Sequence, residues 1–401
     1  MKIKHQTPEV AVAGHICLDI IPSFHSKNRN ISDILVPGKL IDVGPASVAT
    51  GGSVSNTGIA LHRLGIQTLM IGKIGSDQFG SMVSGLLNAQ DPSLTSGMKI
   101  DSSGSTSYTI VISPPDRDRM FFHCPGVNDT FGNADIKDEQ INGIRLFHFG
   151  YPPLMRKMFR HGGRELEELF QRVRKKGIIT SLDMAKPDPE SEAGSANWTR
   201  ILERVLPYVD LFLPSLDEIL FMLDRKTFDA LIGQYDEASL PERVDTKLLD
   251  KLADTLISMG ALAVAIKLGN QGLYLRTGAR TERLANAAGT EADSTPWRNR
   301  QLLAPCFRTS VTGTTGAGDC TIAGFITGLL SGADPAAVIT NAVGVGACCT
   351  ETSDATSGIP AWQTVIDRIN SGWQRLDPKI DMPGWQWDEG DAVWKGPGDM
   401  A

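Results

Sequence analysis

Thr312-Gly313-Thr314-Thr315-Gly316-Ala317-Gly318-Asp319-Cys320 runs directly into Thr321-Ile322-Ala323-Gly324-Phe325-Ile326-Thr327-Gly328-Leu329-Leu330. Glycines and small hydroxyl residues thus precede an apolar helical pattern. The first N–H groups of a helix lack intrahelical partners and sit at the positive end of its dipole, so such an entry attracts an anion such as phosphate. Glycine lets the backbone approach closely. Asp319 conflicts with this logic unless it has a task of its own, because a carboxylate repels phosphate. The task that fits is taking the proton of a hydroxyl as it attacks phosphorus. For the stretch alone, an ordinary Gly-rich turn with an Asp cap is the competing reading.

Outward from this turn the chain alternates strand and helix signals. Val10 to Val12 start an apolar strand leading to Gly14-His15-Ile16-Cys17-Leu18-Asp19. Ligands of open α/β sheets collect at the carboxyl ends of strands, where Asp19 can accept hydrogen bonds from two sugar hydroxyls. Gly51-Gly52-Ser53-Val54-Ser55-Asn56 reads as a turn entering a helix that stops at Gly65. Asn56 offers both a donor and an acceptor. Thr68 to Ile74 is a strand, followed by Gly75-Ser76-Asp77-Gln78-Phe79-Gly80. Ser105 to Ile112 and Met120 to His123, joined by the polar turn 114–119, read as a hairpin, with His123 as a packing residue. A helix over Arg164 to Lys176 and a strand over Ile178 to Leu182 lead to Asp183. Ser215-Leu216-Asp217-Glu218 has the form of a capping box. A strand ends at Lys267-Leu268-Gly269-Asn270-Gln271-Gly272, and a small-residue helix over Pro335 to Cys349 contains Asn341.

These segments, in this order from about residue 10 to about residue 360, resemble the ribokinase-like (PfkB) carbohydrate kinases. The N-terminal signature corresponds to Gly51-Gly52, Asn56, Leu64-Gly65 and Gly75 to Gly80. The C-terminal one corresponds to Gly316-Ala317-Gly318-Asp319. No G-x-x-x-x-G-K-[ST] phosphate loop occurs. The resemblance implies an α/β fold, a three-layer αβα sandwich with a mostly parallel central sheet and a small β lid. It implies ATP-dependent phosphorylation of a sugar hydroxyl, with Asp319 as base and Gly316, Ala317 and Gly318 as the anion hole. Asp19, Gly51, Gly52 and Asn56 are the implied substrate residues. Lys267, Gly269, Gly272, Thr314 and Asn341 are the implied nucleotide residues, with Glu218 serving Mg2+ through water. A lid excludes water from the transferring group and offers a face for a homodimer. Three departures stand out: Asp183 and Lys186 where Asp-x-Asn-x-Arg is usual, Ser215 for the Asn of Asn-x-x-Glu, and Gly313 for an Asp at a monovalent-cation site. The last leaves potassium dependence open.

Composition sets the frame. The 401 residues carry a net charge of -7 with 41% hydrophobic residues and a mean hydropathy of -0.10. The acidic balance argues against a nucleic-acid binder, and no apolar run is long enough for a membrane span. Met1 to Pro8 lack the apolar core of a signal peptide, which points to the cytoplasm. The six cysteines form no C-x-x-C pair and read as free thiols. Residues 1–365 are expected to form the kinase domain, with lid strands within about 15–45 and 101–130. Residues 366–401 form a tail rich in Trp, and 225–244 and 277–305 read as insertions. A nucleoside kinase of the same fold, using Tyr108, Phe121 and Phe122 for stacking, and a non-catalytic sugar- or nucleotide-binding homologue remain as alternatives.

Overall fold

The computed structural model describes residues 8–24, 36–113, 120–289 and 295–399. The expected turn at 114–119, part of the first lid segment and part of the 277–305 insertion lie outside the described residues. The strands are β1 (Val10–Gly14), β2 (Cys17–Pro22), β3 (Ala46–Gly51), β4 (Thr68–Ile71), β5 (Lys73–Gly75), β6 (Lys99–Asp101), β7 (Tyr108–Ile112) and β8 (Met120–Cys124). They continue as β9 (Leu146–Gly150), β10 (Ile179–Asp183), β11 (Leu211–Phe212), β12 (Ala263–Lys267), β13 (Leu273–Thr277), β14 (Gln301–Ala304), β15 (Gln386–Asp388) and β16 (Val393–Lys395).

The central sheet has the order β15-β16-β14-β13-β12-β11-β10-β9-β1-β4. Its strands run parallel from β4 through β12 and antiparallel from β12 outward to β15. Parallel strands buried on both faces are near-continuous apolar runs. In β1, all five residues are buried. Side chains alternate between faces, so Ala11 and Ala13 enter one core and Val10 and Val12 the other.

Helices cover both faces: α1 (Ser53–Arg63), α2 (Gln78–Gln90), α3 (Arg156–Lys175), α4 (Leu216–Leu223), α5 (Thr246–Ser258), α6 (Ala317–Leu330), α7 (Pro335–Thr350) and α8 (Trp362–Asn370). α3, α4 and α5 pack on the first face, and α1, α6, α7 and α8 on the second. This is the expected three-layer sandwich. α3 is interrupted by positive φ at His161, Gly162 and Gly163, so its regular part begins at Arg164, where the sequence pattern starts it. No described helix is long and apolar enough to cross a membrane.

The lid is a four-stranded sheet of order β3-β2-β7-β8. β7 and β8 form the expected hairpin. β3 lies just past the 15–45 window, because the chain returns to the lid immediately before the Gly51-Gly52 turn. The run Thr68 to Ile74 divides at Gly72: β4 joins the central sheet and β5 pairs with β6 in a separate ribbon.

The Trp-bearing tail is built into the body. β16 pairs with β14, and Arg300 and Asp399 form an ion pair with side chains only 6% and 4% exposed. Trp385 packs against Tyr274, and Trp373 stacks on Phe307 at 4.5 Å.

Candidate active site

β1, β9, β10 and β12 all bring their carboxyl ends to the edge where β2 leaves for the lid. α6 enters this edge. Its cap, Gly316, has φ 73°, and a Cβ there would lie 2.5 Å from the Ala355 Cβ, so the sharp entry needs glycine. Asp319 in the first turn is 3% exposed. Its Oδ2 accepts from Asn56 Nδ2 at 3.0 Å and from the Tyr151 hydroxyl at 2.8 Å, and its Oδ1 accepts from Thr57 Oγ1 at 3.3 Å. Burial raises the Asp319 pKa above the ordinary carboxylate value, against the pull of these hydrogen bonds and of Lys267.

On one side of Asp319 lies a cleft of about 780 Å3 lined by Lys267, Gly269, Gly272, Thr314, Ala317 and Gly318. Its apolar wall includes Phe307, Val311, Val343 and Leu376. Lys267 ends β12 and crosses the entry of α6, with Nζ 3.8 Å from where a Gly318 Cβ would stand. Its ammonium is 2.6 Å from Asp183 Oδ1 at the end of β10. Glu218 closes the expected capping box, accepting the Ser215 N–H at 2.7 Å. Burial pushes the Asp183 and Glu218 carboxyl pKa values up, with Lys267 opposing the rise. Burial also works against the Lys267 ammonium, but Asp183, Glu218 and Asp319 hold its pKa above the usual value. Gly313 rests against the backbone of Thr352 and Ser353, and its N–H reaches Thr350 O.

The lid borders the same cleft through Phe121 of β8 and also carries the turn that holds Asp19. A Cβ on Gly51 would lie 2.2 Å from Asp19 Oδ2, so glycine at the end of β3 is what lets this carboxylate lie against the turn. The Cys17 thiol donates to Asp19 Oδ1 at 3.3 Å. Gly52, at φ 86°, caps α1 and presents Asn56 to Asp319. His15, in the link from β1 to β2, stands 5.0 Å from His123 of β8, ring to ring.

The profile of the pfkB family carbohydrate kinases matches residues 8–362. The chain belongs to this family. With membership comes the class of enzyme, an ATP-dependent carbohydrate kinase. Its relatives include an uncharacterized sugar kinase of Archaeoglobus fulgidus, 26% identical over 307 residues that span 75% of this chain and 98% of that one. Another is a probable fructokinase-3 of Arabidopsis thaliana, 26% identical over 220 residues, 54% of this chain and 59% of that one. The fold is similar to a ribokinase from Thermotoga maritima, with TM-score 0.64 and 18% identity over 90% of this chain and 99% of that one. It is also similar to Arabidopsis thaliana ribokinase complexed with ribose and ATP, with TM-score 0.65 and 16% identity over 90% and 98%.

Within this pfkB kinase, most residues picked from the sequence converge, and one does not. Asn341 is not on the cleft: Val343, Gly346, Ala347 and Thr350 are the α7 residues that line it. Two residues are about 200° of helix, which turns Asn341 away from the cleft side. Lys186 lies at the outer cleft, paired with Glu237 and set 5.6 Å from the Phe228 ring. Glu237 and Pro241 bring the 225–244 insertion to the same cleft. Tyr108, considered for purine stacking, packs edge-on to Phe79. Sequence reasoning missed Tyr151 and Thr57. The signal for Tyr151 was its place directly after the Gly150 strand end. Its φ of 66° aims the hydroxyl at Asp319, and this is invisible in sequence.

Proposed function

We propose that this kinase transfers the γ-phosphoryl group of ATP to a hydroxyl of a sugar or sugar-like small molecule, with Asp319 as the general base. The observation that carries the reading is the setting of Asp319, a buried carboxylate at a helix entry between the Lys267 cleft and the Asp19–Asn56 side. Asp19, Gly51, Gly52 and Asn56 hold the sugar hydroxyls. Asp319 takes the proton of the attacking hydroxyl, and its raised pKa brings its basicity nearer to the task. The N–H groups of Gly316, Ala317 and Gly318 would serve the charge on the transferring group, Ala317 by giving up its 3.3 Å bond to Thr314 O, and Lys267 adds a point charge. Positioning and electrostatics supply most of the catalysis in such transfers.

Among the described residues no group of three or more His, Cys, Asp or Glu is placed to hold a metal. Mg2+ keeps several waters and takes one or two carboxylates together with substrate phosphates. Glu218 would serve its water shell, and the ion when bound would neutralise phosphate charge. We also propose a homodimer through the lid, supported by exposed Val48 and Phe122 on its strands. Sedimentation would give its mass.

The test is ADP release from magnesium-ATP across a panel of sugars and nucleosides, with and without potassium, wild type beside Asp319→Asn. Turnover on a sugar that vanishes in the variant supports the reading. A nucleoside as preferred acceptor would overturn the sugar assignment.

A further inference from the structure

The family profile ends at residue 362, and the tail over 366–401 lies beyond it. This tail does more than extend the central sheet through β16. Its segment 373–376 runs antiparallel to 305–308, the stretch that leads from β14 to the cleft. The Arg308 N–H donates to Gln374 O at 2.8 Å, and the Leu376 N–H donates to Cys306 O at 2.7 Å. Phe307 pairs with Arg375 between them. These bonds bring Leu376 to the cleft, where it joins Phe307, Val311 and Val343 in the apolar wall.

The same segment holds Phe307 in place. Trp373 stacks on its ring at 4.5 Å, and the Arg375 guanidinium stands 4.6 Å from its centre. Burial lowers the Arg375 pKa only to about 10, so the group is charged at physiological pH. It also donates to Pro305 O at 3.3 Å and to Thr340 Oγ1 of α7 at 3.4 Å.

A second tie lies three residues beyond Leu376. The Lys379 N–H donates to Gln271 Oε1 at 2.6 Å, and the Lys379 ammonium pairs with Glu242 at 3.2 Å. Gln271 is 3% exposed and belongs to the Gly269–Gly272 turn, whose glycines line the cleft. Glu242 comes from the 225–244 insertion and accepts from Gln271 Nε2 at 3.4 Å. Leu376 is therefore fixed between two anchors, Cys306 and Gln271. A contact that is already in position costs a ligand little ordering entropy on binding.

The cleft has two kinds of lining. Lys267, Thr314 and Gly318, at the entry of α6, suit phosphates. Phe307, Val311, Val343 and Leu376 carry no charge and no side-chain hydrogen-bonding group, and they suit the flat face of an aromatic base. Val311 is 65% exposed and Leu376 only half-buried, so apolar surface is left for a ligand to cover.

We propose that Leu376 is a nucleotide-binding residue and that the tail segment 373–376 forms part of the base subsite of this kinase. This rests on the reading of the Lys267 cleft as the nucleotide side, and it extends that side into a part of the chain that the family profile does not reach. The base of the nucleotide covers Leu376, and the phosphates do not touch it.

Titration calorimetry on the full chain, with magnesium-ADP and with magnesium-pyrophosphate, separates the base from the phosphates. Leu376→Ala should weaken ADP about tenfold and leave pyrophosphate within about twofold. Leu376→Met keeps the apolar volume and should hold ADP within about threefold. In turnover, Leu376→Ala should raise the ATP KM about tenfold, with kcat at saturating ATP within about threefold. Equal weakening of ADP and pyrophosphate would mean that the tail only supports the fold, and it overturns the inference. An ADP affinity unmoved in Leu376→Ala, with Asp319→Asn inactive, overturns it and leaves the kinase reading intact. A wild type that binds neither ADP nor pyrophosphate removes the nucleotide reading of the cleft and this inference with it.

Discussion

On the nucleotide side of Asp319, the buried charges are closed off against one another: Lys267 lies 2.6 Å from Asp183, and Glu218 accepts the Ser215 N–H at 2.7 Å. On the sugar side, His15, His123 and Asn56 each keep a buried polar atom with no described partner. The first arrangement is self-sufficient and holds strand ends and helix entry in fixed positions. The second leaves polar atoms buried without a described partner. The difference reflects what each ligand brings. A nucleotide triphosphate arrives with charge and needs a fixed cation and a fixed helix entry.

The strongest test of the contrast is at the junction. Asp319→Asn should lower kcat by about 10²–10⁴ and leave the thermal midpoint nearly unchanged, since Asn can occupy the same space. Near-normal turnover would show that the carboxylate between the two sides is not the base.

Lys267→Met tests the closed side. It leaves Asp183 and Glu218 buried without their cation, a loss of about 3–5 kcal/mol in denaturant unfolding, together with a large fall in turnover. Adding Asp183→Asn should return much of the stability and none of the turnover. If the double variant regains activity, the role of Lys267 is structural only.

The smallest effect is at Tyr151. Burial raises the pKa of Asp319, and hydrogen bonds from Asn56, Tyr151 and Thr57 to its charged form act in the opposite direction. Turnover needs the ionised base, so kcat/KM should fall as pH drops through a midpoint above the ordinary carboxylate range. Tyr151→Phe removes one of the opposing bonds. It should move that midpoint further up, by about one pH unit or less, with less than about tenfold change at the plateau. A midpoint that moves down would mean that the hydroxyl does not hold the charged form.

The Gly316–Asp319 turn and the Gly51-Gly52 turn were legible because glycine and helix-entry patterns are local. The order of strands and helices was legible because apolar periodicity reports burial within each segment. The lid hairpin followed from alternation in Tyr108 to Ile112 and Met120 to His123. The failures also have local causes. Asn341 lies on the expected helix but outside the lining of the cleft, and a family pattern that names a helix does not fix which side of it faces the cleft. The tail showed an excess of Trp, but not that β16 would extend the sheet beside β14.

The sequence by itself determined the family, the fold, the glycine-rich helix entry and the carboxylate placed in it, because each is written in residues that are neighbours along the chain. Only the tertiary structure decided what that carboxylate touches: Tyr151, turned by a φ of 66°, and Asn56, 263 residues away. It also decided that Lys267 meets Asp183 across 84 residues, and that His15 stands beside His123. Those meetings depend on which strand ends share an edge of the sheet. Hydrogen-bond direction and pKa then follow from burial and contact, which no residue carries on its own.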